Sequence, residues 1–287
     1  NNSYIPTFVL SRFVRKHVKT ALGGDGGDEL FLGYPTFQAE KAAGFLHPLM
    51  PKSIVGALKN LSSLLPVSFE NISLDFKIKR FLDGLAADPV LRHFVWIGGL
   101  NPADQTRLLA SQEEAGDIFG EFIRLRMSSP SAALDMREIS RLYMKIYLQD
   151  DILAKVDRAS MANSLEARAP LLDYEFVDFV QSLPLNLRMK GLRMKYLLKK
   201  ALAGKIPGEI LNRGKKGFGL PLGLWLRSDL KWLLDEYLNE SRARKGGFFK
   251  PDAVKRMVSE HLSGKKDNRK PLYSLIVFEI WREKNGL

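Results

Sequence analysis

Four glycines and three carboxylates lie together between residues 23 and 31, which read GGDGGDELF. Glycine allows positive φ angles and lets the backbone approach a ligand closely. Carboxylates this close repel one another unless a cation or basic groups accompany them. Oxygen donors without His or Cys nearby suit Mg²⁺ held jointly by one or two carboxylates and substrate phosphates. The spacing differs from calcium-loop, phosphate-loop and dinucleotide motifs, and the alternative interpretation is an ordinary turn with solvated acids.

A second candidate is a basic run that ends in a glycine-rich loop. Residues 151–287 contain 27 basic and 16 acidic residues, against 17 and 16 in residues 1–150. Residues 188–216 contain ten of these basic residues and a single acid. Such a local field favours a polyanion: a nucleic acid, an anionic membrane surface or the phosphates of a nucleotide. Lys215 and Lys216 lie among glycines, which favours close approach to a ligand, and solvated surface charge is the simpler alternative.

A third candidate is the charged stretch 148–173. Apolar residues recur there at helical spacing, and charged residues fall on another face, where they can pair along the helix. Because the apolar and charged residues interleave, we expect a partly buried network of charges that determines the local geometry more than it contributes to stability. Surface pairing is the alternative. The predicted network contains Asp151, Lys155, Asp157, Arg158, Glu166 and Arg168.

The elements that would position these residues are mostly helices. Residues 17–22 read as a strand-like run that ends at the glycine turn, which is the layout of a ligand site at the carboxyl end of a strand in an α/β sheet. Asp173 is placed to cap a helix that stops at Pro184. Hydrophobic periodicity and prolines predict helices over 5–17, 36–46, 51–64, 74–86, 88–97, 102–110, 115–127, 132–164, 193–203, 222–238, 251–262 and 271–284.

Composition excludes several classes of protein. The chain has 287 residues, of which 45% are hydrophobic and 26% charged, as in globular proteins. It contains no Cys, which excludes disulfides, thiolate zinc sites and a cysteine nucleophile on this chain. No apolar stretch approaches the roughly 18 residues that a membrane span needs. Because the first residue is Asn and not Met, we expect the chain to be part of a longer protein.

Three motifs resemble, in the same order, those of the glutamine-dependent asparagine synthetase family. Residues 24–31, GDGGDELF, look like the second signature of that family. Residues 153–173, LAKVDRASMANSLEARAPLLD, resemble its central helix and the segment that follows. Residues 213–221, RGKKGFGLP, are similar to its late lysine loop. The resemblance spans roughly residues 5–230, and the remaining residues are compatible with it.

The resemblance implies an α/β fold, an ATP-pyrophosphatase domain of the adenine-nucleotide α-hydrolase type, of which this chain is a predominantly α-helical fragment with little sheet. Residues 1–287 would be the C-terminal part of the synthetase domain. Residues 1–35 would end the nucleotide-binding core, and residues 36–287 would be the mostly helical remainder. The family uses ATP and Mg²⁺ to adenylate the aspartate β-carboxylate and release pyrophosphate, after which ammonia, free or from glutamine, displaces AMP.

The same resemblance implies roles for single residues. Asp28 matches the carboxylate for Mg²⁺ and pyrophosphate, and Asp25 matches the position that faces the acyl-adenylate. Lys215 matches the essential lysine, which would stabilise the pentacoordinate phosphorus and the departing pyrophosphate. Glu166 and Arg168 match positions that we expect to brace the site. Nucleotide contacts are expected from Gly24, Gly26, Gly27 and Lys215.

The sequence also departs from the family pattern. The glutaminase domain and the SGGxDS loop that grips the pyrophosphate moiety of ATP do not occur in it. We therefore expect the chain to be inactive alone, with residues 18–22 lacking flanking strands and the first 35 residues least stable. Asp25 stands where some family members have Glu, and other relatives act on peptides, sugars or β-lactam precursors, so the acceptor stays open.

Two functions from other classes compete with this interpretation. A nucleic-acid-binding module would rest on the basic run, but aromatic residues for base stacking are scarce there, and we expect no nucleic-acid partner. A non-catalytic relative would keep the fold as an interaction domain. The favoured interpretation is a cytoplasmic enzyme that uses ATP, aspartate, and glutamine or ammonia. It would work with the glutaminase domain of the same protein, would bind no membrane, and is compatible with a homodimer.

Overall fold

The structure is a computed structural model that describes residues 2–46, 49–70, 73–89, 91–100, 102–111, 135–214 and 217–287. Its strands are β1 (Thr20–Leu22) and β2 (Glu166–Arg168), a π-helix covers Tyr143–Leu153, and a 3₁₀ turn covers Pro170–Leu172. The α-helices are α1 (Tyr4–Val14), α2 (Gly27–Leu30), α3 (Pro35–Leu46), α4 (Lys52–Ser62), α5 (Leu74–Ala86), α6 (Arg92–Ile97), α7 (Pro102–Leu108), α8 (Met136–Leu142), α9 (Ala154–Met161), α10 (Tyr174–Ser182), α11 (Leu185–Arg188), α12 (Tyr196–Leu202), α13 (Gly208–Asn212), α14 (Leu222–Trp225), α15 (Lys231–Tyr237), α16 (Glu240–Gly246), α17 (Pro251–Leu262) and α18 (Arg269–Lys284).

The chain is predominantly helical, which confirms the expected balance of helix and sheet. In the part of the chain that the structure describes, β1 and β2 form one small parallel sheet. None of the helices described is both long and apolar enough to cross a membrane. The predicted helix over 115–127 lies outside the described residues.

Contacts within the chain divide it into two compact units, each built from two separated segments. The first unit contains residues 1–48 and 123–219, and the second contains residues 49–122 and 220–287. The described residues with predicted roles in chemistry all belong to the first unit. The expected division at residue 35 concerns nucleotide binding, which these contacts do not measure, and it stays a prediction.

The core of the first unit holds the end of the glycine turn. Leu30, Phe31 and Val180 are buried together. The rest of this cluster comes from the π-helix, the 3₁₀ turn, α10 and α12. Helix α1 packs on α9, and the Arg15 guanidinium donates to the carbonyl of Ser164 at 2.8 Å. Because its last two residues are core residues, the turn is anchored at its C-terminal side.

The second unit buries a core of leucines supplied by four of its helices. Leu222, Leu234 and Leu272 are almost completely inaccessible, and α14, α15, α17 and α18 supply most of the core. The backbone N–H of Ala110 donates to the carbonyl of Phe248 at 2.9 Å, which ties the end of α7 to the segment before α17. This unit carries none of the predicted site residues.

Most helix predictions over the described residues are confirmed. The prediction over 74–86 coincides with α5, and the Asp173 carboxylate caps α10 by accepting from two backbone N–H groups at 3.1 and 3.2 Å. The helix predicted over 132–164 is confirmed from residue 136 to residue 161, where α8, the π-helix and α9 follow one another without a break, and residues 132–134 lie outside the described residues. The helix predicted over 222–238 is wrong. A hydrogen bond from Leu230 N–H to the Trp225 carbonyl at 2.8 Å closes a turn that separates α14 from α15.

Candidate active site

The strand pair sets the direction in which the glycine turn leaves the sheet. In the parallel register, Thr20 lies opposite Glu166 and Leu22 lies opposite Arg168. The backbone N–H of Gly23 donates to the carbonyl of Arg168 at 2.7 Å, so the pairing continues into the turn. The expectation that residues 18–22 lack a flanking strand is therefore wrong for β1. Its partner is a charged segment with no strand-like pattern, and the turn leaves the carboxyl end of a parallel pair, where α/β folds bind ligands.

The glycines of the turn have different surroundings. Gly26 has a φ of +86° and caps α2, and a Cβ there would collide with the Leu172 side chain. A Cβ on Gly27 would meet Leu171 at 3.0 Å. A Cβ on Gly24 would meet nothing within 4 Å, and Gly24 is exposed. Gly26 and Gly27 are thus needed for packing, and Gly24 is the glycine on the open side. Their nucleotide contacts stay predictions.

Asp28 forms an ion pair with a lysine from the basic run. Its Oδ1 lies 2.7 Å from Nζ of Lys195, and the two side chains keep 23% and 31% of their exposed area. Lys195 precedes α12 and has a left-handed backbone with φ +54° and ψ +37°. Its backbone N–H donates to the carbonyl of Phe31 at 2.9 Å. The turn and the start of α12 are therefore joined through both backbone and side chain.

Asp25 lies half-buried at the start of the turn. Burial raises the pKa of Asp25, while the positive charge of Lys155 on α9 and a backbone hydrogen bond oppose that shift. The structure thus places Lys155 within electrostatic reach of Asp25. Burial thus favours the neutral form of this carboxyl group, and the lysine charge favours the ionised form.

A buried arginine that the sequence reasoning missed holds the other end of the turn. Arg188 is fully inaccessible. Its Nε donates to the Leu30 carbonyl at 2.5 Å, and its Nη2 donates to the Glu29 carbonyl at 3.4 Å and to the Ser140 hydroxyl. Burial, with help from Arg137 and Arg141, lowers the pKa of Arg188 to about 10. The carbonyl groups at the end of α2 are therefore fixed by a buried cation, as helix C-termini favour.

A cluster of tyrosines lies beside the turn. The Tyr34 hydroxyl donates to Oε1 of the buried Glu29 at 2.6 Å, and burial together with Glu29 raises the pKa of Tyr34. Tyr147, on the π-helix, lies with its ring 5.6 Å from that of Tyr34. Burial and the charges of Asp151, Glu29 and Asp28 raise the pKa of Tyr147 to about 12. Both hydroxyls are therefore protonated at neutral pH, and the π-helix, a form often found at functional sites, contributes to this surface.

The predicted charged network is only partly assembled. Asp151 and Lys155 are half-buried, as expected, but Asp157, Arg158, Glu166 and Arg168 are exposed. The expectation of partial burial is wrong for these four. Glu166 pairs with Arg168 two residues away at 2.7 Å, because the alternation of a strand puts both side chains on one face. The hydrogen bond from Arg168 lowers the pKa of Glu166, and bracing by this pair stays a prediction.

The basic run divides into inward and outward members. Arg188 is buried and Lys195 reaches Asp28, whereas Lys190, Lys199 and Lys200 are exposed. The ammonium groups of Lys190 and Lys200 lie 5.3 and 5.7 Å from the ring centroid of Tyr196. Lys215, with Lys216, lies outside the described residues. Some members of the run therefore stabilise the fold, which a count of charges could not have shown.

The carboxylates near the turn are the oxygen donors that Mg²⁺ could use. In the described ranges, no group of three or more His, Asp or Glu side chains could hold a metal ion. The turn offers Asp25 and Asp28. Two carboxylates without a closed cage are what Mg²⁺ uses when the phosphates of a substrate and water complete its coordination. The residues present therefore fit a shared magnesium–phosphate site and do not fit a closed protein site.

Comparison with known proteins identifies the family. The family model for asparagine synthase matches residues 1–283. The chain belongs to the asparagine synthase family. This family has the adenine-nucleotide α-hydrolase-like fold, which agrees with the small parallel sheet and the helical remainder. The expected resemblance is thereby confirmed at the level of family and fold.

Individual relatives extend the match to nearly the whole chain. The chain is 26% identical over 283 residues to asparagine synthetase [glutamine-hydrolyzing] 1 of Bacillus subtilis, covering 98% of this chain and 43% of the relative. It is 28% identical over 208 residues to asparagine synthetase [glutamine-hydrolyzing] 3 of the same organism, covering 72% and 27%. It is 24% identical over 260 residues to amidase chyE of Penicillium rubens, covering 85% and 38%. The chain thus spans less than half the length of these relatives.

Proposed function

We propose that the chain carries the ATP-dependent amide-forming site of a longer asparagine synthetase-like protein. In this reaction the β-carboxylate of aspartate attacks the α-phosphorus of ATP, which gives β-aspartyl-AMP and pyrophosphate. Ammonia then attacks the acyl carbon and AMP leaves. The supporting observation is the pair Asp25 and Asp28, held on a glycine turn at the carboxyl end of a parallel strand in a chain of this family.

Each charged residue has a proposed task. Asp28 would hold Mg²⁺ together with phosphate oxygens, and the ion would neutralise charge on the leaving pyrophosphate. Asp25 would face the acyl-adenylate, and the positive charge of Lys155 lies within electrostatic reach of it. Lys215 would stabilise the charge that develops on the phosphates during transfer. Arg188 would hold the turn in place through the carbonyl groups of Glu29 and Leu30 and would not react.

The source of nitrogen is a proposal of its own. Two relatives carry glutamine-hydrolyzing in their names, and they are more than twice as long as this chain. We propose that ammonia reaches the site from a glutaminase domain of the same protein, and that free ammonia can replace it.

We also propose that the protein is cytoplasmic and can form a homodimer, and that neither a nucleic acid nor a membrane takes part in its function.

A second acceptor class deserves a test beside aspartate. One relative, chyE, is named an amidase, and Asp25 stands where some family members have Glu. A one-carbon difference at the residue facing the acceptor changes the reach of a carboxylate by about 1.5 Å. Acceptor acids other than aspartate should therefore be compared directly.

Pyrophosphate release by the complete protein tests the proposal. With ATP, Mg²⁺, aspartate and ammonium, the complete protein should release pyrophosphate and form asparagine, and Asp28→Asn should raise the Mg²⁺ concentration needed for half-maximal rate. The matched control is Asp235→Asn, which removes a carboxylate from an exposed Lys–Asp pair in the other unit. Equal behaviour of the two variants would contradict the role of Asp28.

The chain alone gives the complementary result. Because its sequence contains no SGGxDS loop to seat the phosphates, we expect no pyrophosphate release above background from the 287 residues by themselves. Steady release from the chain alone would show that the loop is not needed. No release from the complete protein with any acceptor acid would refute the proposed function and favour a non-catalytic relative.

A further inference from the structure

Lys195, a member of the basic run, turns back towards the acidic turn. Its left-handed backbone is uncommon for a residue with a side chain and is unfavourable unless surrounding contacts hold it. Two backbone hydrogen bonds hold it here: its N–H donates to the Phe31 carbonyl, and its carbonyl accepts from Lys199 N–H, both at 2.9 Å. This strained backbone directs a cation at Asp28.

The neighbouring glycine shows how closely this ion pair is packed. Gly33 is buried, and a Cβ at that position would collide with both the Asp28 carboxylate and the Lys195 side chain. The Gly33 N–H donates to the Asp28 carbonyl at 2.7 Å, which closes the turn over the pair. Glycine at position 33 therefore leaves the space in which the ammonium reaches the carboxylate.

We infer that Lys195 is a positioning residue that acts as an internal counter-ion for Asp28, and that a divalent cation displaces it. This inference rests on the proposed function. An ammonium 2.7 Å from Oδ1 of Asp28 occupies the side of the oxygen that a metal ion would approach to about 2.1 Å. The two cations repel each other, so binding of the metal ion weakens the ion pair and favours release of the lysine. Once released, Lys195 has three donors free for the phosphate oxygens that accompany the metal.

Removal of the lysine charge should strengthen metal binding. In the nucleotide-free chain, Lys195→Met should tighten Mn²⁺ binding, measured by electron paramagnetic resonance, by about tenfold, as expected for one half-exposed competing charge. The control is Lys199→Met, which removes an equal charge from the next turn of α12, where the side chain is exposed. A merely structural ion pair predicts weaker or unchanged Mn²⁺ binding by Lys195→Met, and either result overturns the inference.

The wild-type chain offers a test that needs no variant. Amine labelling followed by mass spectrometry should show that Mg²⁺ alone, without phosphate ligands, increases the reactivity of Lys195 several-fold while that of Lys199 stays the same. Unchanged labelling of Lys195 overturns the exchange even if Lys195→Met does not fold. Because neither measurement uses ATP or aspartate, a positive result can coexist with failure of amide formation, and the two ideas fail separately.

Discussion

Arg188 offers the sharpest test of how the acidic turn is held. Replacing it by Met keeps most of the side-chain volume and removes the donors to the Leu30 and Glu29 carbonyls and to the Ser140 hydroxyl. Charged hydrogen bonds in proteins contribute about 1.5–3 kcal/mol each, and buried acceptors left without a donor are costly. The loss from these bonds is therefore of the order of 4–9 kcal/mol.

The buried charge offsets part of this loss. Burial lowers the pKa of Arg188 well below its ordinary value, to about 10, so removal of the charge relieves about 3 kcal/mol at about 1.4 kcal/mol for each tenfold change in the proton equilibrium. The net expectation for Arg188→Met is a decrease of about 1–6 kcal/mol in the free energy of unfolding. Amide hydrogens of α2 should also exchange faster, because the carbonyls at its C-terminus lose their partner.

Urea denaturation followed by circular dichroism, combined with hydrogen exchange of α2, measures both effects. Arg193→Met is the control, since Arg193 is an exposed arginine of the same run, for which changes within about 0.5 kcal/mol are usual. Arg188→Lys should fall between the wild type and Arg188→Met, because it keeps the charge and loses the fork of donors. A loss below about 1 kcal/mol with unchanged exchange of α2 would refute the reasoning.

Three further predictions concern the turn and the lysine loop. Lys215→Ala in the complete protein should slow adenylation by about a hundredfold or more while Lys216→Ala has little effect; equal rates of pyrophosphate release in the two variants would remove the assignment. Asp25→Asn should raise the melting temperature at pH 7, because the raised pKa of Asp25 means that stability is lost as pH rises above its ordinary 3.8. That gain should vanish below pH 3.8, and a gain independent of pH would contradict this cause. Gly26→Ala should destabilise by more than about 1 kcal/mol, from the left-handed backbone and the collision with Leu172, whereas Gly24→Ala should leave thermal melting unchanged; similar melting of both variants would oppose the packing role of Gly26.

Local patterns determined much of the secondary structure and pointed to the site. The apolar spacing of residues 74–86 and the cap at Asp173 depend on neighbours a few residues away, so the sequence contains them explicitly. The glycine turn can be recognised from the sequence for the same reason, since its glycines and acidic residues are consecutive. The match of residues 1–283 to one family agrees with these local signals.

Other features depend on partners far away in the chain. Residues 166–168 become a strand only because β1 lies beside them, 146 residues earlier in the sequence. Nothing in Glu-Ala-Arg favours a strand, since its pattern is neither apolar nor β-branched. The π-helix could not be predicted from the sequence either, because a helical spacing of apolar residues does not distinguish it from an α-helix.

The basic run shows most clearly which properties of a residue the sequence determines and which the tertiary structure determines. Ten cations in 29 residues predict a solvated surface or a polyanion site, and most of the described members are exposed. Two of them are used otherwise: Arg188 is buried under the carbonyls of α2, and Lys195 pairs with Asp28. Side-chain type sets charge and reach, but burial and partner are set by the packing of segments more than 150 residues apart, which local physical chemistry cannot specify.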